Sequence, residues 1–464
     1  MSVGEGLDIL VLGLGSSGVA VAHYCAERIG VDFSSVTALD AADSDRLREL
    51  AQDLETLGVT VRLGVNTVAG SYDLCVASPG IPPHAPLMRA AFSASSRTIS
   101  EIQFAFERSN CPWVAITGTN GKTTTTALAA HLLTVGGMPA RAVGNIGAPS
   151  IEVVAEGDDD LVLVAEVSSF QLALTDTFHP RVAVLLNITP DHLDWHGTYE
   201  DYRRDKAKVF ANLGPDDTAV IDIDDLGAAS VLQGVVESGA RVVTVSLHPA
   251  RNGAARVDDG VLQLSALSGD RVPLVPVDEI LIKGPHNVSN ALAASAAAHS
   301  MGVKPDSIRE GLRSFLPIEH RLEPAGFAVG AEWFNDSKAT NPDAVSKALT
   351  AFGDRPLILL LGGRNKGNDF GPLALEVAER ARYVVLFGEA CPELAEAFSQ
   401  TAVPVRTVAN LAEAVRAAAK VADAGDAVVL SPACASFDEF DNYEERGRTF
   451  KRMVQDLSSE AAGL

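Results

Sequence analysis

The chain has 464 residues, 47% of them hydrophobic, and a formal net charge of −23. This length allows about three domains, and the negative charge argues against a nucleic-acid surface, which needs clustered Lys and Arg. No apolar run approaches the ~20 residues that cross a bilayer, and the five cysteines never form a C-x-x-C pair, which disfavours disulfides and zinc. We expect a cytoplasmic monomer without membrane insertion or a nucleic-acid partner.

The first segment is predicted to be a βαβ unit. Residues 8–12 form an apolar strand, residues 13–18 follow the pattern G-x-G-x-x-G, and Asp40 ends the next strand. In dinucleotide-binding folds such glycines approach the pyrophosphate and the acid contacts a ribose. Taken alone, the pattern favours an oxidoreductase with a nicotinamide or flavin, and this is the main alternative function. Residues 74–82 predict another strand that ends in a sharp turn.

Residues 113–124, WVAITGTNGKTT, predict a buried strand, a phosphate-binding loop and a helix. Gly118 and Gly121 let backbone N–H groups close on phosphate oxygens, Lys122 supplies a positive charge and Thr123 offers a hydroxyl to Mg²⁺. Ile116 stands where the usual P-loop pattern has glycine, so the loop is a variant. The segment indicates an enzyme that acts on a nucleoside triphosphate.

Three polar residues further along are candidate metal ligands. Glu166 ends an apolar strand, and its carboxylate could face the Mg²⁺ that Thr123 touches; the alternative is a solvated acid at a strand end. His192 follows the strand 182–188, and Lys206 lies on a predicted helix. By composition alone these two favour a surface histidine and a solvated basic helix face.

The third segment repeats the α/β pattern, with apolar strands at 357–361, 383–387 and 427–430. We therefore predict an α/β protein of three parallel-sheet domains: a Rossmann-like domain (1–108), a central P-loop-type mononucleotide-binding ATPase domain (109–317) and a C-terminal Rossmann-like domain (318–464). Pro317 is a plausible linker position. Hinge motion is expected near residues 316–321.

Eight motifs in order resemble the Mur ligases. They are GTNGKT (118–123), GNIG (144–147), EVSSFQL (166–172), NITPDHLD (187–194), HNVSNALAA (286–294), EHRLE (319–323), NDSKATNP (335–342) and SPACASFD (431–438). DSKATN and SPACAS, together with the turn SPG (78–80), resemble the members that add D-glutamate. The resemblance implies an ATP-dependent amide ligase of peptidoglycan precursor synthesis, which joins D-glutamate to UDP-N-acetylmuramoyl-L-alanine through an acyl phosphate and releases ADP and phosphate.

The resemblance also implies a role for each site residue. Lys122, Glu166, His192 and Lys206 would be catalytic. Two Mg²⁺ ions would be held by Thr123, Glu166, His192 and a carbamylated Lys206. ATP would be bound by Gly118, Thr119, Asn120, Gly121, Lys122, Thr123, Thr124, Asn290, Arg321 and Asp336. The nucleotide sugar would contact Ser16, Ser17, Asp40, Ser78, Gly80, Asn145 and Ser168, and D-glutamate would contact Lys338, Thr340, Lys366, Ser436 and Phe437.

One departure and three alternatives remain. The first-domain turn reads Ser16-Ser17 and Asp40 is followed by Ala41, so contacts to the uracil could differ in detail. A GTPase is disfavoured because residues 365–368 lack the final acid of N-K-x-D. A non-catalytic nucleotide-binding regulator is a further alternative, as are the relatives that add L-alanine, a diamino acid or a dipeptide.

Overall fold

The computed structural model describes residues 6–251, 253–265 and 270–462. Their strands form three sheets of five, nine and six strands, and each sheet takes its strands from one stretch of the chain: 7–100, 113–276 and 323–433. This arrangement confirms the predicted α/β class with three sheets. The domain boundaries after residues 108 and 317 stay predictions.

The first sheet is parallel. It consists of β1 (Leu7–Leu12), β2 (Phe33–Leu39), β3 (Thr60–Arg62), β4 (Tyr72–Ala77) and β5 (Ser95–Ser100), alternating with α1 (Ser16–Ala26), α2 (Asp45–Thr56), α3 (Pro86–Ala94) and α4 (Glu101–Phe106). The strand order is β3-β2-β1-β4-β5. Ile9 and Val11 enter one hydrophobic core while Leu10 and Leu12 enter another, as expected for a strand buried on both faces. The order reverses between β1 and β4, where parallel sheets bind ligands.

The central sheet is mixed, with strand order β14-β13-β12-β11-β10-β9-β6-β8-β7. Its strands are β6 (Trp113–Thr117), β7 (Ala140–Gly144), β8 (Val162–Glu166), β9 (Val182–Leu185), β10 (Thr218–Asp222), β11 (Arg241–Ser246), β12 (Ala255–Asp258), β13 (Val261–Ser265) and β14 (Arg271–Pro276). Its helices are α5 (Lys122–Val135), α6 (Ser150–Ala155), α7 (Ser169–Ala173), α8 (Leu193–His196), α9 (Tyr199–Ala207), α10 (Leu226–Ala229), α11 (Leu232–Glu237), α12 (Pro285–Ser300) and α13 (Pro305–Ser314).

The third sheet has the order β15-β16-β20-β17-β18-β19. It contains β15 (Glu323–Ala328), β16 (Ala331–Asn335), β17 (Leu357–Gly362), β18 (Ala381–Phe387), β19 (Val405–Thr407) and β20 (Ala427–Ala433), with α14 (Pro342–Leu349), α15 (Gly371–Arg380), α16 (Cys391–Phe398), α17 (Leu411–Val421) and α18 (Tyr443–Ala462). The prediction of purely parallel sheets holds for the first sheet only. β12–β14 and β15–β16 pair antiparallel, as strands that are separated by only a few residues along the chain can do.

The chain divides into two compact units. One runs to Ile280 and resumes at Val288–Phe315, and the other comprises Leu281–Asn287 and the chain from Leu316 onward. In the first unit, one hydrophobic core joins the first and central sheets, with Ile102 and Trp113 among its buried members. Among the described residues, no helix is both long enough and apolar enough to cross a membrane.

Candidate functional site

The carboxyl edge of the central sheet brings four predicted motifs together. Strands β9, β6, β8 and β7 lie side by side and run parallel, so their carboxyl ends meet at one edge. The phosphate loop 118–121 follows β6, Glu166 ends β8, Asn145 follows β7, and the loop 186–192 follows β9. Motifs that are far apart in sequence therefore line one site.

The phosphate loop is held in a shape that suits an anion. Gly121 has φ +84°, and a Cβ there would come within 2.4 Å of the Oδ1 of Asn290, so only glycine fits. Lys122 begins α5, and its Nζ donates to the carbonyls of Gly118 and Thr119 at 2.9 Å each. The N-terminus of α5 adds its partial positive charge. The loop and Lys122 thus fit a phosphate group.

Two residues that the sequence analysis left without a role support this loop. The Oδ1 of Asn187 accepts from the backbone N–H of Asn120 at 2.8 Å, and its Nδ2 donates to the Asn120 carbonyl at 3.1 Å. The hydroxyl of Tyr202 is 2.9 Å from the Oγ1 of Thr119. Tyr202 lies four residues before Lys206 on α9, so the helical period was the signal that could have found it.

Glu166 fits a metal cation. It is buried, and its Oε1 accepts from the Nδ2 of Asn145 at 3.1 Å, while its Oε2 has no hydrogen-bond partner among the described residues. A buried carboxylate oxygen without a donor is costly unless a cation meets it, and a hard cation such as Mg²⁺ prefers oxygen ligands. The alternative of a solvated acid at a strand end is wrong, because the side chain is buried.

Lys206 is only 2% exposed, so the alternative of a solvated basic helix face is wrong for this residue. Its Nζ donates to the Gly118 carbonyl at 2.8 Å. Burial lowers the pKa of this amine well below its usual value, and the nearby charge of Lys122 lowers that pKa further. The geometry therefore favours an uncharged amine beside the phosphate loop.

His192 lies where the loop after β9 turns into α8. Its backbone has φ +53°, in the left-handed region that few non-glycine residues adopt. Its side chain is about half exposed, and its ring centroid is 4.8 Å from that of Phe170. The imidazole is thus held at the edge of the site.

The other central residues lie close to these groups. Thr123 and Thr124 are buried in the first turn of α5. Ser168 caps α7: its Oγ accepts from the Gln171 N–H at 3.2 Å, while the Oε1 of Gln171 accepts from the Ser168 N–H at 2.9 Å. This capping box fixes the chain just after Glu166.

The carboxyl edge of the first sheet holds the predicted nucleotide-sugar residues. The two carboxylate oxygens of Asp40 accept from the N–H groups of Leu14 and Ala42 at 2.8 Å each, so Asp40 fixes the glycine-rich turn. A Cβ on Gly13 would come within 2.8 Å of the Ser78 Cβ, which shows how closely the two loops pack. The other predicted residues of this edge are at least partly exposed: Ser16, Ser17 and Gly80.

Arg321 and Asp336 belong to the second compact unit. Asp336 is buried, and it accepts from the Ser431 hydroxyl at 2.6 Å and from the Leu322 N–H at 3.3 Å. Burial raises the pKa of its carboxyl to about 7, against the opposing effect of the Ser431 hydrogen bond and of Arg321.

The five predicted amino-acid-binding residues share the carboxyl edge of the third sheet. β16, β20 and β17 are parallel neighbours, and the loops after them are joined by backbone hydrogen bonds. Ala433 donates to the Ala339 carbonyl at 2.9 Å, and Arg364 and Ala435 exchange two bonds of 2.8 and 3.0 Å. These loops carry Lys338, Thr340, Lys366, Ser436 and Phe437.

A buried arginine supports this edge, and the sequence analysis missed it. Arg446 is fully buried and donates to the hydroxyl and the carbonyl of Ser337 and to the Cys434 carbonyl, at 2.8 to 3.1 Å. Burial lowers its pKa to about 10. Of the two predicted lysines of this edge, Lys338 has its Nζ 5.4 Å from the Tyr443 ring centroid, and Lys366 is exposed. A charged residue in a polar helix gives no sequence signal of such burial.

The comparisons with known proteins agree with this geometry. The family model "Mur ligase middle domain" matches residues 116–298, and "Mur ligase, glutamate ligase domain" matches residues 320–434. The UDP-N-acetylmuramoylalanine–D-glutamate ligase of Pelotomaculum thermopropionicum is 43% identical, over 97% of both chains. The ligase of the same name from Thermoanaerobacter sp. is 36% identical, over 98% of this chain and 99% of its own.

A solved structure shares the fold. The UDP-N-acetylmuramate–alanine ligase of Thermotoga maritima superposes with a TM-score of 0.59 at 19% identity, covering 97% of this chain and 99% of its own. Together with the two domain matches and the full-length relatives, this establishes that the chain belongs to the Mur ligase family.

Proposed function

We propose that this chain joins D-glutamate to the L-alanyl carboxylate of UDP-N-acetylmuramoyl-L-alanine, with hydrolysis of ATP to ADP and phosphate, in peptidoglycan precursor synthesis. The observation that carries the proposal is its similarity, over nearly the whole length, to ligases of that name. Two features of the structure support the proposal: the phosphate loop with Lys122, which would receive ATP, and the carboxyl edge of the third sheet, which would receive the amino acid.

The reaction proceeds in two balanced steps. The substrate carboxylate attacks the γ-phosphorus of ATP, so a new P–O bond forms as the bond to ADP breaks. The amine of D-glutamate then attacks the acyl carbon, phosphate leaves with the bonding electrons, and the amine proton passes to solvent. The N–H groups of loop 118–121 and the charge of Lys122 stabilise the phosphate oxygens, while the rest of the site positions the reactants.

Four residues would hold two Mg²⁺ ions: Thr123, Glu166, His192 and Lys206. Bound Mg²⁺ neutralises phosphate charge. The unpartnered Oε2 of Glu166 supports this assignment, since it offers an anionic oxygen to a cation. A carbamylated Lys206 would supply a second anionic group, because CO₂ adds to an uncharged amine and the pKa of Lys206 is lowered. A ¹³C resonance that appears with labelled bicarbonate, and is absent in Lys206→Ala, would test the carbamate.

The remaining site residues are proposed as substrate contacts. The uridine and muramoyl groups would contact Ser16, Ser17, Asp40, Ser78, Gly80, Asn145 and Ser168. ATP would further contact Thr119, Asn120, Thr124, Asn290, Arg321 and Asp336. The two carboxylates of D-glutamate would be met by Lys338, Thr340, Lys366 and Ser436 and by the backbone of Phe437, since such groups give charge-assisted hydrogen bonds.

Phosphate release is the direct test. The protein, ATP and Mg²⁺ are incubated with UDP-N-acetylmuramoyl-L-alanine and either D-glutamate, L-glutamate, L-alanine or no amino acid. Release that needs both the nucleotide sugar and D-glutamate supports the ligase. Release that requires a different amino acid would mean that this protein adds that amino acid, as other members of the family do. No release under any condition would favour a non-catalytic regulator. The oxidoreductase alternative is set aside by the family assignment.

The domain assignment follows from the same proposal. Residues 1–108 would bind the nucleotide sugar, 109–317 ATP and 318–464 the amino acid, with closure about residues 316–321. Small-angle scattering with an ATP analogue and substrate should show compaction, and unchanged scattering would contradict the hinge. A cytoplasmic location and a monomeric state stay predictions.

A further inference from the structure

Three buried polar side chains are linked by hydrogen bonds near the carboxyl edge of the central sheet. The Nδ1 of His196 is 2.9 Å from the Oδ2 of Asp205, and the Nε2 of His196 is 2.9 Å from the Oγ of Ser169. The His196 side chain is completely buried. Both ring nitrogens are therefore engaged, so His196 has no lone pair or proton to offer a ligand.

The three members come from three different elements, and each is a close neighbour of a proposed metal ligand. Ser169 begins α7, three residues after Glu166; His196 ends α8, four residues after His192; Asp205 lies on α9, directly before Lys206. The hydrogen bonds among Ser169, His196 and Asp205 thus connect the three segments that carry these ligands.

Aromatic packing fixes the same imidazole. The Phe170 ring stacks on His196 at 5.5 Å, with 20° between the planes, and also contacts the His192 ring at 4.8 Å. Tyr202 meets His196 edge-on at 5.1 Å, and its hydroxyl bonds to Thr119 of the phosphate loop. A change at His196 would therefore alter the packing around His192 through Phe170, and the packing around the phosphate loop through Tyr202.

A nucleophilic role for this serine, histidine and aspartate is excluded by burial. Ser169 is 2% exposed, so no substrate carbonyl can reach its hydroxyl. The other carboxylate oxygen of Asp205 lies 3.6 Å from the Nζ of Lys208, which also donates to the Ala173 carbonyl at the end of α7. These contacts join α7 to α9 a second time and leave Asp205 a structural partner.

We infer that Ser169, His196 and Asp205 are positioning residues that hold Glu166, His192 and Lys206 in the relative placement needed for metal and nucleotide binding. The inference rests on the proposed function for the identity of those ligands. Outer partners that orient metal ligands typically change metal affinity or activity by about 10–100-fold when removed. We expect a loss of that size here.

Mn²⁺ binding in the presence of ADP tests the inference without turnover. Free Mn²⁺ is measured by electron paramagnetic resonance for the unaltered protein, His196→Phe, Ser169→Ala, Asp205→Ala and Asp205→Asn. Phenylalanine keeps the ring but removes both hydrogen bonds, and asparagine keeps an oxygen that can accept from the imidazole. We expect Mn²⁺ affinity about tenfold or more weaker in His196→Phe and Asp205→Ala, and within about threefold of the unaltered protein in Asp205→Asn.

A second histidine–aspartate pair of this protein supplies a control. The Nε2 of His179 is 2.6 Å from the Oδ2 of Asp217, and both residues lie just before strands β9 and β10, at the opposite edge of the same sheet. His179→Phe also breaks a histidine–aspartate pair, at a side chain that is 47% exposed and lies at the opposite edge from the phosphate loop, and its Mn²⁺ affinity should stay unchanged. In turnover, His196→Phe should lower kcat while the KM for the nucleotide sugar stays within about twofold.

Two results would overturn the inference. One is equal Mn²⁺ affinity in the unaltered protein and in folded His196→Phe; the other is an equal loss in His179→Phe, which would indicate a general effect of breaking a histidine–aspartate pair. If His196→Phe does not fold, the Mn²⁺ affinities of Ser169→Ala and Asp205→Ala are compared with those of the unaltered protein and of His179→Phe in the same way. Absence of ligase turnover in the unaltered protein would remove the proposed function alone, because Mn²⁺ and ADP binding is measured without the nucleotide sugar.

Discussion

The carboxyl edges of the central and third sheets hold lysines under opposite conditions. Lys206, beside the phosphate loop, is 2% exposed and bonded to a loop carbonyl, and Glu166 is buried near it. At the third edge Lys366 is exposed, and Phe437 is 58% exposed. Burial and the hydrogen bond to the Gly118 carbonyl hold the Lys206 amine in one position, whereas the exposed Lys366 keeps its charge hydrated. This difference agrees with the proposed roles of the two edges, a fixed phosphate site at the central edge and a site for D-glutamate at the third.

Lys122→Ala should produce the largest effect. Because Lys122 donates to the phosphate loop and begins α5, its removal takes away charge that the transition state needs, and phosphate release should fall by about 10²–10³-fold. The unfolding temperature should change little. Lys304→Ala, an exposed lysine of the same unit, is the control and should retain activity. If Lys122→Ala released phosphate within threefold of the unaltered rate, the charge at the central edge would not be needed for turnover, and the contrast drawn with the third edge would fail.

Arg446→Met should act on stability. The variant leaves the Ser337 and Cys434 carbonyls without their buried donor, so the unfolding free energy of the second compact unit should fall by about 3 kcal/mol. Urea unfolding followed by fluorescence measures this. Arg448→Met, at a partly exposed arginine two residues on, should cost less than about 0.5 kcal/mol. Equal effects would mean that the third edge does not depend on its buried support.

Most of the fold could be predicted because its central strands carry a local signal. Residues 113–116, at the start of the segment that leads into the phosphate loop, are all apolar, which indicates a strand buried on both faces, and β6 is such a strand. The antiparallel strands β12–β14 were not predicted, because their sequences ARVD, VLQLS and RVPLVP are short, and the first and third include charged residues or prolines, which weaken the strand signal.

The site was predictable where chemistry follows a strand end, and not where it depends on packing. Glu166 was found as the last residue of an apolar strand. His196 and Arg446 were missed, because their partners Ser169 and Ser337 lie 27 and 109 residues away in the chain. No local pattern encodes a hydrogen bond between elements that meet only in the folded protein.

Glu101→Gln tests whether burial raises the pKa of a carboxyl that lies outside the carboxyl edges of the central and third sheets. Glu101 is buried, its Oε1 accepts from the Ile151 N–H at 2.8 Å, and burial raises its pKa to about 7. A carboxyl whose folded pKa lies above its unfolded value of ~4.3 favours folding while it is protonated, and this stability is lost as the pH rises toward 7. Relative to Glu101→Gln, the unaltered protein should therefore lose about 3 kcal/mol between pH 4.5 and 7.5.

Thermal unfolding across that pH range measures the difference for Glu101. The exposed Glu49 on α2 gives the control, and Glu49→Gln should follow the pH profile of the unaltered protein. Parallel profiles for Glu101→Gln and the unaltered protein would contradict the role assigned to burial.

Lys366→Ala should give the smallest effect, because the lysine is exposed and water already competes for its charge. A single charge-assisted hydrogen bond at such a position is worth about 1.4 kcal/mol, so the KM for D-glutamate should rise about tenfold. The KM for ATP should stay within twofold, and Lys420→Ala, an exposed lysine of α17, should change neither. Steady-state phosphate release at varied D-glutamate gives both constants. A rise in the KM for ATP instead would mean that this exposed lysine serves the nucleotide, and the two edges would no longer differ in the substrate they hold.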